Sequence, residues 1–519
     1  MDDYTSRVPY YTFPDNSLED QEIALRSNPL MKRLIASRKS YEKDLHRPHY
    51  HYVNPEARLN DPNGLCFWKG HWHLFYQAYP PEDTRQHWGH AISDDLVHWR
   101  DLPYCIYPNP ERCCYSGSTL VEKDRVIAMY HGTEAGNMVA VSSDPLLLNW
   151  KKVSGGPVIP LPKTPINYFS GLQKNGLRPA YNVFDPCIWM KDGKYYSLSA
   201  GTKPEGPGGK PIRANFLFSS ENLIDWTFLH PFVEDDHYSL VGDDGACPYF
   251  WPIGDRYILL FFSHMSGPQY LIGDYDTERN KFVVSNGGKF NFGAFKPSGL
   301  HAPSATPDGE GGLVVIFNMN HGKPTNNWDQ IMSLPRRLTV QGDDLYMEPI
   351  DALKSLRGKP YDFGPIALPA NKDVILPSIG GGNTMEFEVE IDSGNSPMVE
   401  MNVLQSPNRE EFTRIAFYRG RGFKGKSLLS VDSSYSSTAG DVISRAPETA
   451  PLALDDNENL KLRVFVDKSV MEVFANDRQC IALRVYPDRP DSTGISFRSQ
   501  GVDSQLVLFK SYKMKSIWI

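Results

Sequence analysis

The chain has 519 residues, of which 40% are hydrophobic and 22% are charged. This length allows two to four domains, or one large β architecture with an appendage, and the composition is ordinary for a globular protein. A net charge of −8 without a basic stripe argues against a nucleic-acid partner, and no apolar run reaches the about 18 residues of a membrane span.

The N-terminus and the cysteines bear on the cellular compartment. The first 26 residues are acidic and lack the apolar core of a signal peptide. The seven cysteines are odd in number, Cys113 and Cys114 are adjacent, and no pair has metal-ligand spacing. We therefore expect reduced, buried thiols and a cytoplasmic protein, or a secreted one if a signal peptide was removed.

Residues 16–45 carry the pattern of a helix. Asn28 can cap it, with Pro29 at the first helical position. Leu30, Leu34, Tyr41 and Leu45 then lie on or near one face, opposite Lys and Arg. We expect a helical N-terminal extension, residues 1–48, that packs on the main domain. A homodimer formed through this helix or through the C-terminal domain is the alternative.

From residue 50 to about 350, five similar hairpins follow one another. Each consists of a strand, a tight turn and a more apolar strand. A second repeat of Ser, Leu and Trp occurs in "SDDLVHW" (93–99), "SSDPLLLNW" (142–150) and "SSENLIDW" (219–226). Such repeats are typical of a β-propeller, so residues 49–352 are predicted to form five blades. The hairpins begin at Asn60, Tyr115, Phe184, Asp243 and His301.

The repeats then stop, and alternating strands continue to the end of the chain. Segments such as "NTMEFEVEID" and "NLKLRVFVDKSVMEVFAND" predict a β-sandwich over residues 367–519, after a linker over 353–366. The predicted fold class is therefore all-β, a five-bladed β-propeller followed by a C-terminal β-sandwich.

Two carboxylates stand at equivalent places in these hairpins. Asp61 lies nine positions before the turn glycine Gly70, and Asp185 lies eight before Gly193. The innermost strands of a propeller begin around a central funnel, so these side chains are expected to converge there. Two facing carboxylates are what glycoside cleavage requires. Ala246, eight positions before Gly254, occupies the same place in the fourth hairpin without a carboxylate.

Several motifs resemble glycoside hydrolase family 32, which includes invertases, inulinases, levanases and fructosyltransferases. They run in order from about residue 48 to the end of the chain. The list is "RLNDPNG" (58–64), "FYQ" (75–77), "WGHAISDDLVHW" (88–99), "YSGS" (115–118), "FDP" (184–186), "CP" (247–248), "SLPRRLTV" (333–340) and "FVDKSVMEVFAND" (465–477).

The resemblance implies a propeller followed by a sandwich, and a site for β-fructofuranosides. Asp61 would be the nucleophile and Asp185 the stabiliser of the oxocarbenium-like transition state. No metal and no organic cofactor is implied, and the partner is a small carbohydrate such as sucrose or a fructo-oligosaccharide. The residues implied to line the fructose subsite are Asn60, Gln77, Trp88, Tyr115 and Ser116.

The chain departs from the family at two of these positions. Phe184 stands where the family has an Arg that grips sugar hydroxyls, so we place Phe184 in the subsite and consider Arg178 or Arg213 as substitutes. Ala246 stands where the family has the Glu that acts as general acid. Asp244 would share the face of Ala246 on an extended strand, so it is the candidate replacement acid.

Three explanations of Ala246 stay open: a divergent enzyme, an engineered acid-deleted variant and a natural sugar-binding protein. The first predicts retaining hydrolysis or transfer of β-fructofuranosyl units of sucrose or small fructans through a covalent fructosyl-enzyme, with hydrolysis favoured. Its alternatives are another furanosidase activity, because Phe184 alters the sugar grip, and a catalytically silent fructan-binding or sensing protein.

Overall fold

The computed structural model describes residues 4–163, 179–377, 380–420 and 426–518. Helix α1 (Leu18–Ser27) and helix α2 (Pro29–Ser40) precede the strands. Asn28 separates them with an extended backbone, and its side chain accepts hydrogen bonds from two N–H groups of α2. The predicted cap is confirmed, but the predicted single helical stretch forms two helices. Leu45 lies beyond the end of α2 and is 76% exposed.

Five sheets follow, and each contains one of the predicted hairpins; all their pairings are antiparallel except that of the first and last strands of the fourth sheet, which is parallel. The first sheet has β1 (Leu59–Trp68), β2 (His71–Ala78), β3 (His87–Ser93) and β4 (Trp99–Ile106). The second has β5 (Cys114–Val121), β6 (Val126–Gly132), β7 (Gly136–Ser142), β8 (Lys151–Lys152) and β9 (Ile159–Pro160). The third has β10 (Pro186–Lys191), β11 (Lys194–Lys203), β12 (Ile212–Ser220) and β13 (Thr227–Pro231).

Two more sheets complete this part of the chain. The fourth has β14 (Val233–Glu234), β15 (Ala246–Ile253), β16 (Arg256–Ser263), β17 (Gly267–Asp276) and β18 (Lys281–Lys289). The fifth has β19 (Leu300–Pro307), β20 (Leu313–Met319), β21 (Ile331–Met332), β22 (Arg336–Gln341) and β23 (Asp344–Pro349). Short 3₁₀ helices occur at Pro207–Gly209 and Asp351–Leu356.

The first strands of the five hairpins close into a ring. Strand β1 contacts β5, β5 contacts β10, β10 contacts β15, β15 contacts β19, and β19 returns to β1. This cyclic order is the arrangement of a five-bladed propeller. The starts of the five strands therefore surround one central funnel, although they are far apart in sequence.

The C-terminal part forms two further antiparallel sheets around a separate hydrophobic core. One sheet has β24 (Arg357–Phe363), β25 (Ile366–Leu368), β27 (Thr384–Asp392), β32 (Leu460–Asp467), β33 (Val470–Ala475), β34 (Gln479–Arg484) and β36 (Ser504–Met514). The other has β26 (Asp373–Ile375), β28 (Met398–Gln405), β29 (Thr413–Tyr418), β30 (Leu428–Asp432), β31 (Glu448–Pro451) and β35 (Gly494–Gln500). The predicted sandwich is confirmed as a fold, but the segment predicted as a linker, residues 353–366, already contains β24 and the start of β25 of this sheet.

A buried ionic cluster joins the two domains at the seam of the ring. Asp467 accepts the backbone N–H groups of residues 49, 50 and 51 at 2.7, 2.7 and 2.9 Å. His51 lies between Asp467 (2.9 Å) and Glu472 (3.3 Å), and Glu472 pairs with Arg336 at 2.9 Å. All four side chains are fully buried. The cluster thus connects the chain before blade one, the fifth blade and the sandwich.

Two further observations concern the cysteines and the helices. All seven cysteines lie within the described residues, and each is buried and unpaired. None of the helices in the described segments is long and apolar enough to cross a bilayer.

Arg336→Met tests how much this cluster contributes to the free energy of unfolding. The change leaves the Glu472 carboxylate buried without its guanidinium partner, so we expect a loss of about 3–5 kcal/mol in unfolding free energy. Thermal and urea unfolding followed by circular dichroism measure it. The matched control is Arg279→Met, because Arg279 is 53% exposed in its ion pair with Glu234. Similar melting temperatures for both variants would contradict this role.

Candidate active site

A pocket of about 460 Å³ opens at the centre of the ring. It receives residues from all five blades, because each first strand begins at its wall. One residue from each blade illustrates this: Asp61, Ser116, Asp185, Ala246 and His301.

The first residues of these strands pair irregularly, and this irregularity directs their side chains into the pocket. The pairing of β1, β5, β15 and β19 with their neighbours shifts register within the first residues of each strand. A β-bulge bends a strand and redirects its side chains. Asp61, Ser116, Cys247 and His301 each lie inside one of these shifts. The bulges therefore turn polar groups into the funnel, where regular strands would alternate between faces.

Asp61 is held through one of its two carboxylate oxygens. Its Oδ2 accepts hydrogen bonds from Ser116 Oγ at 2.5 Å and from Gln77 Nε2 at 3.3 Å. Among the described residues, Oδ1 accepts no hydrogen bond, and His301 Nε2 lies 3.9 Å from it. Oδ1 therefore keeps unused lone pairs at the wall of the pocket.

Asp185 lies beside Asp61 and shares a neighbour with it. Cys247 Sγ is 3.5 Å from Oδ2 of each carboxylate, and the backbone N–H of Cys247 donates to Asp185 Oδ2 at 3.2 Å. Burial and the charge of Asp61 raise the pKa of Asp185 to about 6. Ionisation of Asp185 is therefore less favourable in this pocket than in water.

The structure brings most of the predicted site residues together. Seven of the nine line the pocket: Asn60, Asp61, Gln77, Tyr115, Ser116, Phe184 and Asp185. Trp88 and Asp244 are outside its lining. Trp88 is fully buried between Phe75 and Tyr130, and its indole N–H donates to the Tyr115 carbonyl at 3.0 Å. The prediction that Trp88 lines the subsite is corrected to a supporting position behind Tyr115.

Asp244 is also not where the extended-strand argument put it. Gly245 has a positive φ of 63°, and β15 begins only at Ala246. The chain therefore turns between the two residues, and the Asp244 side chain is 1% exposed. Its carboxylate points to His264 Nδ1 at 2.6 Å. The expectation that Asp244 faces the pocket directly is wrong.

The two departures from the family both reach the pocket. Ala246 and Phe184 both line it, so a methyl group and a phenyl ring stand at the two positions where the resemblance implied Glu and Arg. Arg213 does not compensate, because it pairs with Asp236 and lies 3.9 Å over the Phe261 ring. Arg178 lies outside the described residues.

Sequence reasoning missed several polar lining residues, namely Gln86, His131, His264, Lys296 and His301. His301 heads the fifth hairpin, so its equivalence to Asp61 was a usable signal. His264 follows β16 instead of heading a strand, and no local pattern marks it. Among the described residues, no group of three or more His, Cys, Asp or Glu is arranged to hold a metal ion.

Family models match nearly the whole chain. The glycosyl hydrolases family 32 N-terminal domain matches residues 51–349, and the family 32 C-terminal domain matches residues 352–516.

The individual relatives have low sequence identity to this chain. The chain is 28% identical to a levanase of Bacillus subtilis over 93% of this chain and 72% of the relative. It is 26% identical to a sucrose-6-phosphate hydrolase of Zymomonas mobilis over 94% of this chain and 96% of the relative. The fold resembles fructan 1-exohydrolase IIa from Cichorium intybus with a TM-score of 0.77, at 20% identity over 91% of this chain and 98% of that one.

Asp185→Asn tests the electrostatics of the pair. Since the folded pKa of about 6 exceeds the usual 3.8 of the unfolded chain, native Asp185 binds its proton more tightly. It therefore costs stability as pH rises from about 4 to about 6, and the cost then stays constant. We expect the variant to be more stable than the parent by at most about 3 kcal/mol at pH 8 and by about 1 kcal/mol at pH 4.5.

Melting temperatures across this pH range measure the difference. The control is Asp255→Asn in an exposed turn of the fourth blade, which is expected to follow the parent at every pH. An Asp185→Asn curve parallel to that of the parent would show that the two carboxylates do not interact as described.

Proposed function

Because this chain belongs to glycosyl hydrolase family 32, we propose that it is a β-fructofuranosidase. The proposed reaction is retaining hydrolysis of sucrose or small fructans through a covalent fructosyl-enzyme. Relatives named levanase and sucrose-6-phosphate hydrolase support this substrate class. Cleavage of a sugar acetal by this route requires carboxylates on a closed-in pocket and no cofactor.

One observation carries the proposal: the asymmetric environment of Asp61. Its Oδ2 is anchored by Ser116 and Gln77, while Oδ1 accepts no hydrogen bond from the described residues. A nucleophile needs one oriented oxygen with free lone pairs. Asp61 Oδ1 is therefore the atom that would attack the anomeric carbon of the fructosyl unit.

Asp185 has a separate role in this reaction. Positive charge develops on the furanose ring as the glycosidic bond breaks, and a nearby fixed carboxylate stabilises it. The Cys247 N–H holds the Asp185 oxygen in place for this purpose. Ionisation of Asp185 is required, so its pKa of about 6 predicts activity that rises with pH through that value.

Water and substrate sugars compete for the fructosyl-enzyme. Transfer to a sugar is the alternative to hydrolysis, which is the reaction proposed.

The pocket lining favours a second candidate substrate. Phe184 presents a ring where a guanidinium would grip hydroxyls, and its neighbour is His131 at 6.0 Å between ring centroids. A furanoside with fewer or differently placed hydroxyls therefore remains the second candidate substrate.

Product analysis tests the proposal. We expect chromatography to detect fructose after incubation with sucrose, inulin or levan. In Asp61→Asn the rate is expected to fall by at least about 10³-fold, because the nucleophile is lost while the hydrogen bonds to Oδ2 can persist. A fluorescence or calorimetric binding measurement with the same sugars runs beside it. Binding without product from the parent would instead support the sensing protein.

A further inference from the structure

His264 lines the same pocket as Ala246. Ala246 pairs directly with Phe262 across β15 and β16, and His264 follows Phe262 by two residues. His264 lies in the turn that follows β16, and the centroid of its ring is 5.0 Å from that of the Phe262 ring. Both Phe262 and His264 line the pocket, next to Ala246.

A buried carboxylate fixes the imidazole. Asp244 Oδ2 lies 2.6 Å from His264 Nδ1, and Asp244 Oδ1 accepts the His264 backbone N–H at 3.3 Å. The Asp244 side chain is 1% exposed, whereas that of His264 is 56% exposed. A carboxylate only accepts, so Nδ1 carries a proton and Nε2 faces away from Asp244.

On this geometry, and resting on the proposed function, we propose that His264 is the general acid that protonates the leaving group. Asp244 is its positioning residue. The pair replaces the carboxylic acid that the family carries at the position of Ala246. The proton is thus presented to the pocket by the imidazole of His264, while the Asp244 carboxylate lies behind it.

The surrounding charges favour the protonated ring. The groups that face His264 are Asp244, Asp185, Asp61 and the ring of His301, whose centroid is 6.4 Å away, and Lys296 lines the same pocket. Burial lowers the pKa of His264, but the hydrogen bond and charge of Asp244, with the charges of Asp185 and Asp61, outweigh it and raise the pKa. A general acid works best when its pKa lies near the working pH.

The step balances without any co-reactant. Asp61 Oδ1 donates an electron pair to the anomeric carbon, and the electron pair of the glycosidic C–O bond passes to the leaving oxygen. That oxygen takes the proton from Nε2, so the aglycone leaves as a neutral alcohol and His264 becomes neutral. In the second half, neutral His264 accepts a proton from the attacking water as Asp61 is released.

The other acids of the region fit this role less well. Asp244 is shut off from the pocket behind His264. Asp185 shares Cys247 with Asp61, which puts it on the side of the nucleophile. The leaving group departs from the side of the anomeric carbon opposite the nucleophile. A proton donor separate from Asp61 and Asp185 is therefore required.

His264→Gln separates proton donation from binding. On sucrose we expect kcat to fall about 10²–10⁴-fold with KM nearly unchanged, because an unprotonated leaving sugar departs slowly. On 4-nitrophenyl β-D-fructofuranoside, whose nitrophenolate needs no proton, the loss should stay under about 10-fold. The alkaline limb of the kcat/KM profile of the parent should also disappear.

Asp244→Asn examines the positioning residue. Loss of the carboxylate lowers the pKa of His264, so the alkaline limb should move to lower pH while the sucrose activity at acidic pH is largely retained. NMR titration of the His264 imidazole should show the same displacement without reference to activity. The control is His98→Gln, because His98 forms a similar pair with Asp95 at 2.7 Å but lies at the surface and outside the pocket.

The outcomes separate the two proposals. Equal losses on both substrates in His264→Gln, or unchanged sucrose turnover, would overturn the role of His264 while leaving the proposed function intact. If the parent releases nothing from either substrate, and Asp61→Asn behaves identically, the proposed function itself fails. Melting temperatures near that of the parent confirm that each variant is folded.

Discussion

The buried pairing of Asp467 and Glu472 with His51 and Arg336 is the constraint on which the rest of the molecule depends. It holds the chain before blade one against the fifth blade, where the ring must close. A propeller without closure would expose the faces of the first and fifth blades that pack on each other. The pocket draws residues from every blade, so it exists only once the ring is closed. These carboxylates belong to the sandwich, which therefore stabilises the site without touching it.

The pocket holds groups that must be ionised close to groups that must carry a proton. Asp61 must present an ionised oxygen, and the strained strand starts put it beside Asp185. Burial and repulsion from the charge of Asp61 both disfavour the ionised form of Asp185, and its pKa is therefore raised. A cationic ring opposite them relieves that repulsion. The loss of the carboxylate at position 246 and the presence of a histidine at the same wall are thus physically connected: a third acid is exchanged for a positive proton donor.

Local patterns account for the features that were predicted correctly. Alternating apolar residues and turn glycines predicted the five hairpins, because strand pairing through a tight turn is decided by near neighbours. The nearly equal spacing of Asp61 and Asp185 to their turns predicted that they converge. Trp88 was misplaced because an aromatic residue beside a polar motif packs equally well behind the wall of a pocket. Asp244 was misplaced because Gly245 turns the chain, and one turn reverses the face on which a side chain lies.

The amino-acid order alone therefore determined the repeated strands, the two domains of the fold class and the two central carboxylates, since each follows from short-range periodicity. Only the tertiary structure decided which groups surround them. His264 reaches the pocket because Phe262, two residues before it, pairs with Ala246 across β15 and β16, and because blade four packs between its neighbours. Register and ring closure join residues that are distant along the chain, and no local pattern records such contacts.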